Sequence, residues 1–228
     1  MSLYITLVVP TITQYKKLHR MLATVSEGTR RPDRIVVIDN GNLGMIDIEL
    51  SDFYGLYDEW DVQPKNLGVA GSCNLAMRLA AQQPGGWWLH ANDDIEVGKS
   101  TIAGLEKATE SLPNQIMFNP VCAAGSAFTL FLMPAQRAID EIGWWDAEFF
   151  PAYFEDNDYA YRMQLKGYRH VDVPCDGYIH HTSSTKRAYT GNEEEWGHQR
   201  FRANRQRYID KWGGPPGEEK WKEPRKND

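Results

Sequence analysis

The feature that most constrains the fold is an alternation in the first hundred residues. Short apolar, β-branched runs at Leu3–Pro10, Arg34–Asn40 and Trp87–Ala91 are separated by segments whose apolar residues recur at helical spacing. In Gln14–Glu27 the stripe is Tyr15, Leu18, Leu22 and Val25; in Val69–Gln83 it is Ala76, Leu79 and Ala80. A run without polar alternation is a strand buried on both faces, and strands joined through helices pair in parallel by right-handed crossovers. The pattern predicts an α/β fold: a Rossmann-like, mainly parallel sheet with helices on both faces. Met45–Pro64 is irregular, with one short strand near Asp58–Val62.

The rhythm then changes. Gly98–Leu112 reads as a helix, and Ile116–Met133 as extended segments with Gly125 and Ser126 between them. A short helix follows at Pro134–Ile142, with Pro134 in its first turn. After the aromatic stretch Trp144–Phe154 comes a helix at Glu155–Lys166, stopped by Gly167, then short strands at Val171–Pro174 and Tyr178–His181. Trp196–Trp212 is a helix closed by Gly213-Gly214-Pro215-Pro216, and a polar, arm-like tail follows. The expected organisation is one domain over 1–191, divided at residue 97, with an appended helix and tail over 192–228.

Composition narrows the class. No apolar run is long enough for a transmembrane helix, and the N-terminus lacks the basic region of a signal peptide. Cys73, Cys122 and Cys175 form neither a disulfide framework nor a metal pair, so a reducing cytoplasm is expected. A net charge of −6 argues against a general nucleic-acid binder. The charge is uneven: Gln199–Asp228 has nine Lys/Arg against five Asp/Glu, so this segment carries +4 and the rest −10.

Candidate site residues cluster where an open α/β sheet binds ligands, beyond the carboxyl ends of its strands. Pro10 and Thr11 follow the first strand, Asp39 and Asn40 the second, and Asn92, Asp93 and Asp94 the third. Clustered carboxylate and amide oxygens on a solvated strand end suit Mg²⁺ or Mn²⁺, although such a triplet also serves as a plain turn. Asn66–Asn74 leads into the second helix, where small residues let an anion approach backbone N–H groups; a tight turn is the alternative. It is neither a dinucleotide fingerprint nor a Walker loop. Glu155, Asp156 and Asp158 open a helix among aromatic residues, a setting that raises carboxylate pKa values as a general base requires. Acidic residues also simply stabilise a helix N-terminus. His180-His181 ends a short strand.

Taken in order, these segments resemble the family-2 glycosyltransferases of the GT-A fold, in their rhamnosyltransferase-like bacterial and phage branch. The likeness runs from about Leu3 to Gly214: VVPT (Val8–Thr11), VVIDNGN (Val36–Asn42), NLGVAGSCN (Asn66–Asn74), WLHANDDIEV (Trp88–Val97), and the long stretch Gly125–Pro174 with its GWWDAEFF and EDND elements. The resemblance implies a metal-dependent, inverting transfer of a sugar from a UDP- or dTDP-linked donor to an acceptor hydroxyl. It implies donor contacts at Pro10, Thr11, Asp39, Asn66, Gly68, Asn74, Asn92 and Asp93. A Mn²⁺ or Mg²⁺ ion falls to Asp94 and His180, the general base to Asp156, and a supporting role to Glu155. Asn92 departs from the family's D-x-D, leaving Asp94 as the carboxylate ligand.

The acceptor stays open between a glycan intermediate and a nucleic-acid base, and a homodimer is allowed. A non-catalytic sugar-nucleotide-binding module on the same fold is the rival reading, with Asn92 in its favour. A nucleotidyltransferase would need a basic Gly-rich loop after the first strand, which Pro10-Thr11-Ile12-Thr13 does not supply. The last helix, carrying His198, Arg200, Arg202, Arg205, Arg207 and Lys211, either packs through Phe201, Tyr208 and Trp212 or closes over an anionic substrate.

Overall fold

A computed structural model describes residues 2–41, 50–121, 128–181 and 192–225, with side chains of the last segment from residue 198. Asn42, Cys122, Gly125, Ser126 and the boundary at residue 191 lie outside the described residues. The chain begins with β1 (Ile5–Thr11), α1 (Tyr15–Ser26) and β2 (Arg34–Asp39), then β3 (Glu59–Val62), α2 (Gly68–Ala81) and β4 (Trp87–Ala91). It continues through β5 (Ile95–Val97), α3 (Thr101–Ser111), β6 (Met117–Pro120), β7 (Leu130–Pro134) and α4 (Ala135–Glu141). Last come α5 (Glu155–Leu165), β8 (His170–Val173), β9 (Tyr178–His180) and α6 (Asn192–Trp212).

The main sheet has the order β3-β2-β1-β4-β7-β6-β8. β1 pairs in parallel with β2 and β4, whereas β7 is antiparallel to both β4 and β6. The parallel expectation therefore holds for the first half, and the change of rhythm after residue 97 corresponds to the antiparallel insertion. Side chains of β1 alternate between faces, as the period of two requires. Ile5, Leu7 and Val9 pack with Leu18, Met21 and Leu22 of α1 and with Ile102 and Leu105 of α3. Val8 faces the other way, into a second core with Met77 of α2, Ala138 of α4, and Tyr159 and Met163 of α5. Each fully buried aliphatic side chain here contributes about 1.5–3 kcal/mol relative to exposure.

A third core forms behind α5, where Phe149 and Phe154 meet Tyr208 and Trp212 of α6. The last helix is thus packed into the body of the protein, in line with the packing reading of its aromatic residues. The tail after it is not arm-like. The N–H groups of Lys220 and Trp221 donate to Trp212 O at 3.0 and 3.2 Å, and Tyr161 Oη donates to Trp221 O at 2.9 Å. Gly213 makes this reversal possible: its φ is +78°, and a Cβ there would come within 2.8 Å of the Trp221 ring. Pro134 also differs from expectation, ending β7 with extended ψ (109°) rather than entering the helix. No helix among the described residues is long and apolar enough to cross a membrane.

Candidate active site

The order of the sheet reverses direction at β1, with β2 and β3 on one side and β4 on the other. A crevice must open there beyond the carboxyl ends of the strands. It is occupied by a cavity of about 750 Å³ lined from both halves of the chain. Thr11 at the end of β1 and Asp93 after β4 both line it, and the Thr11 hydroxyl donates to Asp93 Oδ2 at 2.7 Å. Burial pushes the Asp93 carboxyl up to about 7, and the neighbouring charge of Asp94 adds to the effect.

Asp94 is only 3% exposed, so the strand end is buried rather than solvated. Strand β5 begins immediately after it and pairs antiparallel with β9, in a register that sets Ile95 opposite His180. That pairing carries His180 Nε2 to 3.4 Å from Asp94 Oδ1, while the His181 N–H donates to Asp94 O at 2.9 Å. The His181 ring instead pairs with Glu96. Alternation along a strand thus separates the two histidines, and His180 is the one that lines the cavity. A carboxylate oxygen and an imidazole nitrogen this close can serve as neighbouring ligands of one divalent ion. Among the described residues no group of three His, Cys, Asp or Glu side chains is gathered around a common point. A two-donor protein site fits a hard cation that takes its remaining ligands from water and substrate phosphates.

The small-residue turn before α2 serves the fold as well as the cavity. Asn66 and Gly68 line the space, but the first amides of the helix are already committed. Leu67 N–H donates to Asn40 Oδ1, Gly68 N–H to Asn66 Oδ1, and Val69 N–H to Pro151 O, at 3.0, 2.8 and 2.8 Å. The expected anion cradle at these three amides is therefore filled from within. Gly68 has φ +68°, and a Cβ there would meet Pro151 O at 2.8 Å and the Phe150 ring at 2.9 Å. Only glycine lets the two halves approach this closely.

Glu155 and Asp156, in the first turn of α5, also line the cavity. The chain reaches them through two non-glycine residues in the left-handed region, Tyr153 (φ 77°) and Phe154 (φ 71°). Such residues cost roughly 1–3 kcal/mol each and persist where surrounding contacts over-determine them. Glu155 is buried, and its Oε2 has no hydrogen-bond partner among the described residues. Burial, reinforced by the charge of Asp156, pushes the Glu155 carboxyl up to about 8. Asp156 is half-buried, and its pKa also rises, by burial, against the lowering effect of the Asn157 N–H at 2.8 Å. Asp158, third carboxylate of the run, turns away to meet Arg162, Lys211 and Trp212.

The structure brings the sequence-predicted residues together in one cavity, with two exceptions. Asp39 is fully buried, and its carboxylate accepts from Tyr15 Oη (3.1 Å), Trp60 Nε1 (3.1 Å) and the Gly41 N–H (2.8 Å). Asn74 clamps the backbone of Trp145, accepting from its N–H at 2.7 Å and donating to its carbonyl at 2.9 Å. Neither lines the cavity. Lining residues that sequence reasoning missed include His90, Trp145 and Tyr153. His90 had a readable signal, since period two puts it on the same face as Asn92, to which its ring bonds at 3.2 Å. Burial lowers its pKa to about 4, so the ring is neutral, and it stacks on Phe131 at 4.9 Å. Trp145 and Tyr153 belong to the aromatic stretch that precedes the acidic run, but nothing in that stretch separates the residues that line the cavity from those that only pack.

Solved structures share this architecture. The chain superposes on a mannosyltransferase, PcManGT from Pyrobaculum calidifontis in complex with GDP-Man and Mn²⁺, with a TM-score of 0.63 and 14% identity, over 88% of this chain and 65% of that one. It also superposes on residues 1–349 of S. aureus TarS in complex with UDP (TM-score 0.60, 13% identity, 91% of this chain and 72% of that one). A third is GalNAc-T7 with UDP, GalNAc and Mn²⁺ (TM-score 0.69, 14% identity), matched over 92% of this chain and 48% of that one. The chain thus spans less than two thirds of the first and third of these proteins. A scan of protein-family models finds no match, and neither does a comparison with curated proteins. The likeness is one of fold: the chain has the GT-A glycosyltransferase architecture.

Proposed function

We propose that the protein is a divalent-metal-dependent, inverting glycosyltransferase that moves a sugar from a nucleotide-diphosphate donor to an acceptor hydroxyl. Within the GT-A architecture we assign it to the family-2, rhamnosyltransferase-like branch, on the ordered motifs of its sequence. The observation that carries the reading is the meeting of two unlike sets of groups in the lining of one cavity: the Asp94–His180 pair and the Glu155–Asp156 pair. Neighbours of the same fold carry GDP-Man, UDP and Mn²⁺, which supports a nucleotide-sugar donor and a divalent ion here.

The donor lies across the carboxyl ends of β1 and β4, flanked by Pro10, Thr11, Asn66, Gly68, Asn92 and Asp93. Asp94 and His180 would hold the ion, which when bound would supply a positive charge for the departing diphosphate. Asn74 shapes the wall by fixing Trp145, which lines the cavity, whereas Asp39 holds Tyr15 and Trp60, which do not line it. Burial protects the Glu155 proton at neutral pH, and Asp156, the less buried of the two, is the carboxylate we assign to take the acceptor proton. Asp156 takes the acceptor proton as its oxygen attacks C1 from the face opposite the leaving group, so a single displacement inverts the anomeric centre.

The test is incubation of the protein with a panel of nucleotide sugars, with Mn²⁺ or with chelator, read by mass spectrometry. Metal-dependent release of nucleoside diphosphate is expected from one donor class, lost in Asp94→Ala. Asp156→Asn should retain nucleotide binding and lower turnover by about two to four orders of magnitude, the range of general-base catalysis. Binding of a nucleotide sugar without turnover under any condition would favour the non-catalytic module, and released pyrophosphate a nucleotidyltransferase.

A further inference from the structure

From the contacts of α6 we infer that Asn204 is a positioning residue for the Glu155–Asp156 pair, an inference that rests on the transferase reading given above. Asn204 is 4% exposed on a helix otherwise rich in exposed arginines, and its side-chain amide points into the turn that precedes α5. Nδ2 donates to Ala152 O at 2.9 Å and lies 3.3 and 3.4 Å from Tyr153 O and Phe150 O. The intervening carbonyl, of Pro151, accepts from the Val69 N–H at 2.8 Å, and Phe154 O accepts from the Asp158 N–H at 2.9 Å. The five consecutive carbonyls from Phe150 to Phe154 therefore face donors from three helices, α2, α5 and α6, with the two protons of the Asn204 amide shared among three of them.

Those carbonyls belong to the segment that contains both left-handed residues, Tyr153 and Phe154. A segment in that conformation relaxes unless its surroundings define it. Relaxation of the turn would swing Glu155 and Asp156, the next two residues, away from the wall they occupy. A buried amide whose donors face only carbonyls also explains why an asparagine stands here: no carboxylate could take the place without lone pair facing lone pair. The aromatic contacts of Phe201 with Tyr153 and Phe154, at 5.2 and 5.1 Å, brace the same turn one helical turn earlier on α6. The role is local, and the rest of α6 supplies packing through Tyr208 and Trp212.

The experiment compares Asn204→Asp and Asn204→Ser, which keeps one donor, with Tyr208→Phe, a change on α6 that keeps the ring against Phe154 and removes only the hydroxyl that donates to Glu219. Steady-state kinetics are measured well below each melting temperature, together with hydrogen exchange of the peptide spanning 150–158. Asn204→Asp is expected to lower kcat 10- to 100-fold with the donor KM within about twofold, and to speed exchange in that peptide while leaving β1 and β2 unchanged. Asn204→Ser should fall between it and the wild type, and it carries the test if the aspartate variant does not fold. A wild-type kcat with unchanged exchange, or an equal kcat loss in Tyr208→Phe, overturns the inference. If the wild-type protein turns over no donor, exchange alone decides the positioning role, and only the transferase reading fails.

Discussion

Glu155 shows how far its surroundings can move one side chain. In the unfolded chain its carboxyl titrates at 4.5; in the fold it is pushed up to about 8 by burial and by Asp156. Between these values the folded protein keeps a proton that the unfolded chain has released, so stability falls as pH rises through that window and the full cost is present above it. For a shift of this size the cost is on the order of a few kcal/mol. Glu155→Gln removes it, and is expected to raise the melting temperature at pH 8.5 while leaving it nearly unchanged at pH 5. A gain of equal size at both values would mean that packing, not the proton, is responsible. Glu155 and Asp156 were legible in the sequence, since three carboxylates in four residues among aromatics have few plain uses. The resemblance gave the base role to Asp156 and a supporting one to Glu155, but which of the two carboxyls the fold buries more deeply was not legible, because it depends on contacts made far away in the chain. Asn204 gave no signal at all: its partners lie some fifty residues earlier, and nothing separates it from any polar residue on a basic helix.

At the scale of elements, the site is made by two junctions that join the halves of the chain. One is the β5–β9 pair, which brings His180 to Asp94. Sequence periodicity found β9, but a three-residue strand such as β5 is too short to have a period, so the pairing that selects His180 over His181 was hidden. The other is the approach of α2 to the Phe150–Pro151 turn at Gly68. The run of small residues in Asn66–Asn74 was visible, but it reads equally well as room for a phosphate or as room for another strand of backbone, and the latter fills it. Gly68→Ala tests this junction. An alanine with φ near +68° costs about 1–2 kcal/mol from conformation alone. The contacts at 2.8 and 2.9 Å add to that. Gly85 provides the control, with φ +71° and nothing within 4 Å of its Cβ position. Urea denaturation should therefore show Gly68→Ala losing at least about 1 kcal/mol more than Gly85→Ala, the cost of overpacking. Equal losses would show that the junction yields without resistance.

Across the whole molecule, the sheet and its two covering layers were legible because buried parallel strands announce themselves in composition. The integration of α6 was legible only as one of two readings: Phe201, Tyr208 and Trp212 pointed to packing, while a basic helix after a polar segment also looks like an appendage. What binds it is an ionic centre of low exposure. Asp158, with no exposed side-chain surface, receives Lys211 Nζ at 2.7 Å, Trp212 Nε1 at 2.9 Å and Arg162 Nε at 2.9 Å. Lys211 also reaches Asp146 at 2.7 Å, and Arg207 pairs with Glu148. Part of the positive charge that the sequence offered for an anionic substrate is therefore spent on the protein's own carboxylates. Two cations and an indole N–H around one buried carboxylate form a centre whose rupture leaves charges without a counterpart. Removing one partner of a buried ion pair typically costs 3–5 kcal/mol, more than the net value of the intact pair. Asp158→Ala should lose about that much in chemical denaturation. The double variant Asp158→Ala, Lys211→Met should recover part of the loss, because the stranded ammonium goes with it while Asp146 remains exposed enough to hydrate. Additive losses in that cycle would mean that Lys211 is held by Asp146 alone. The union of α5 with α6 would then rest on Phe149, Phe154, Tyr208 and Trp212 without help from charge.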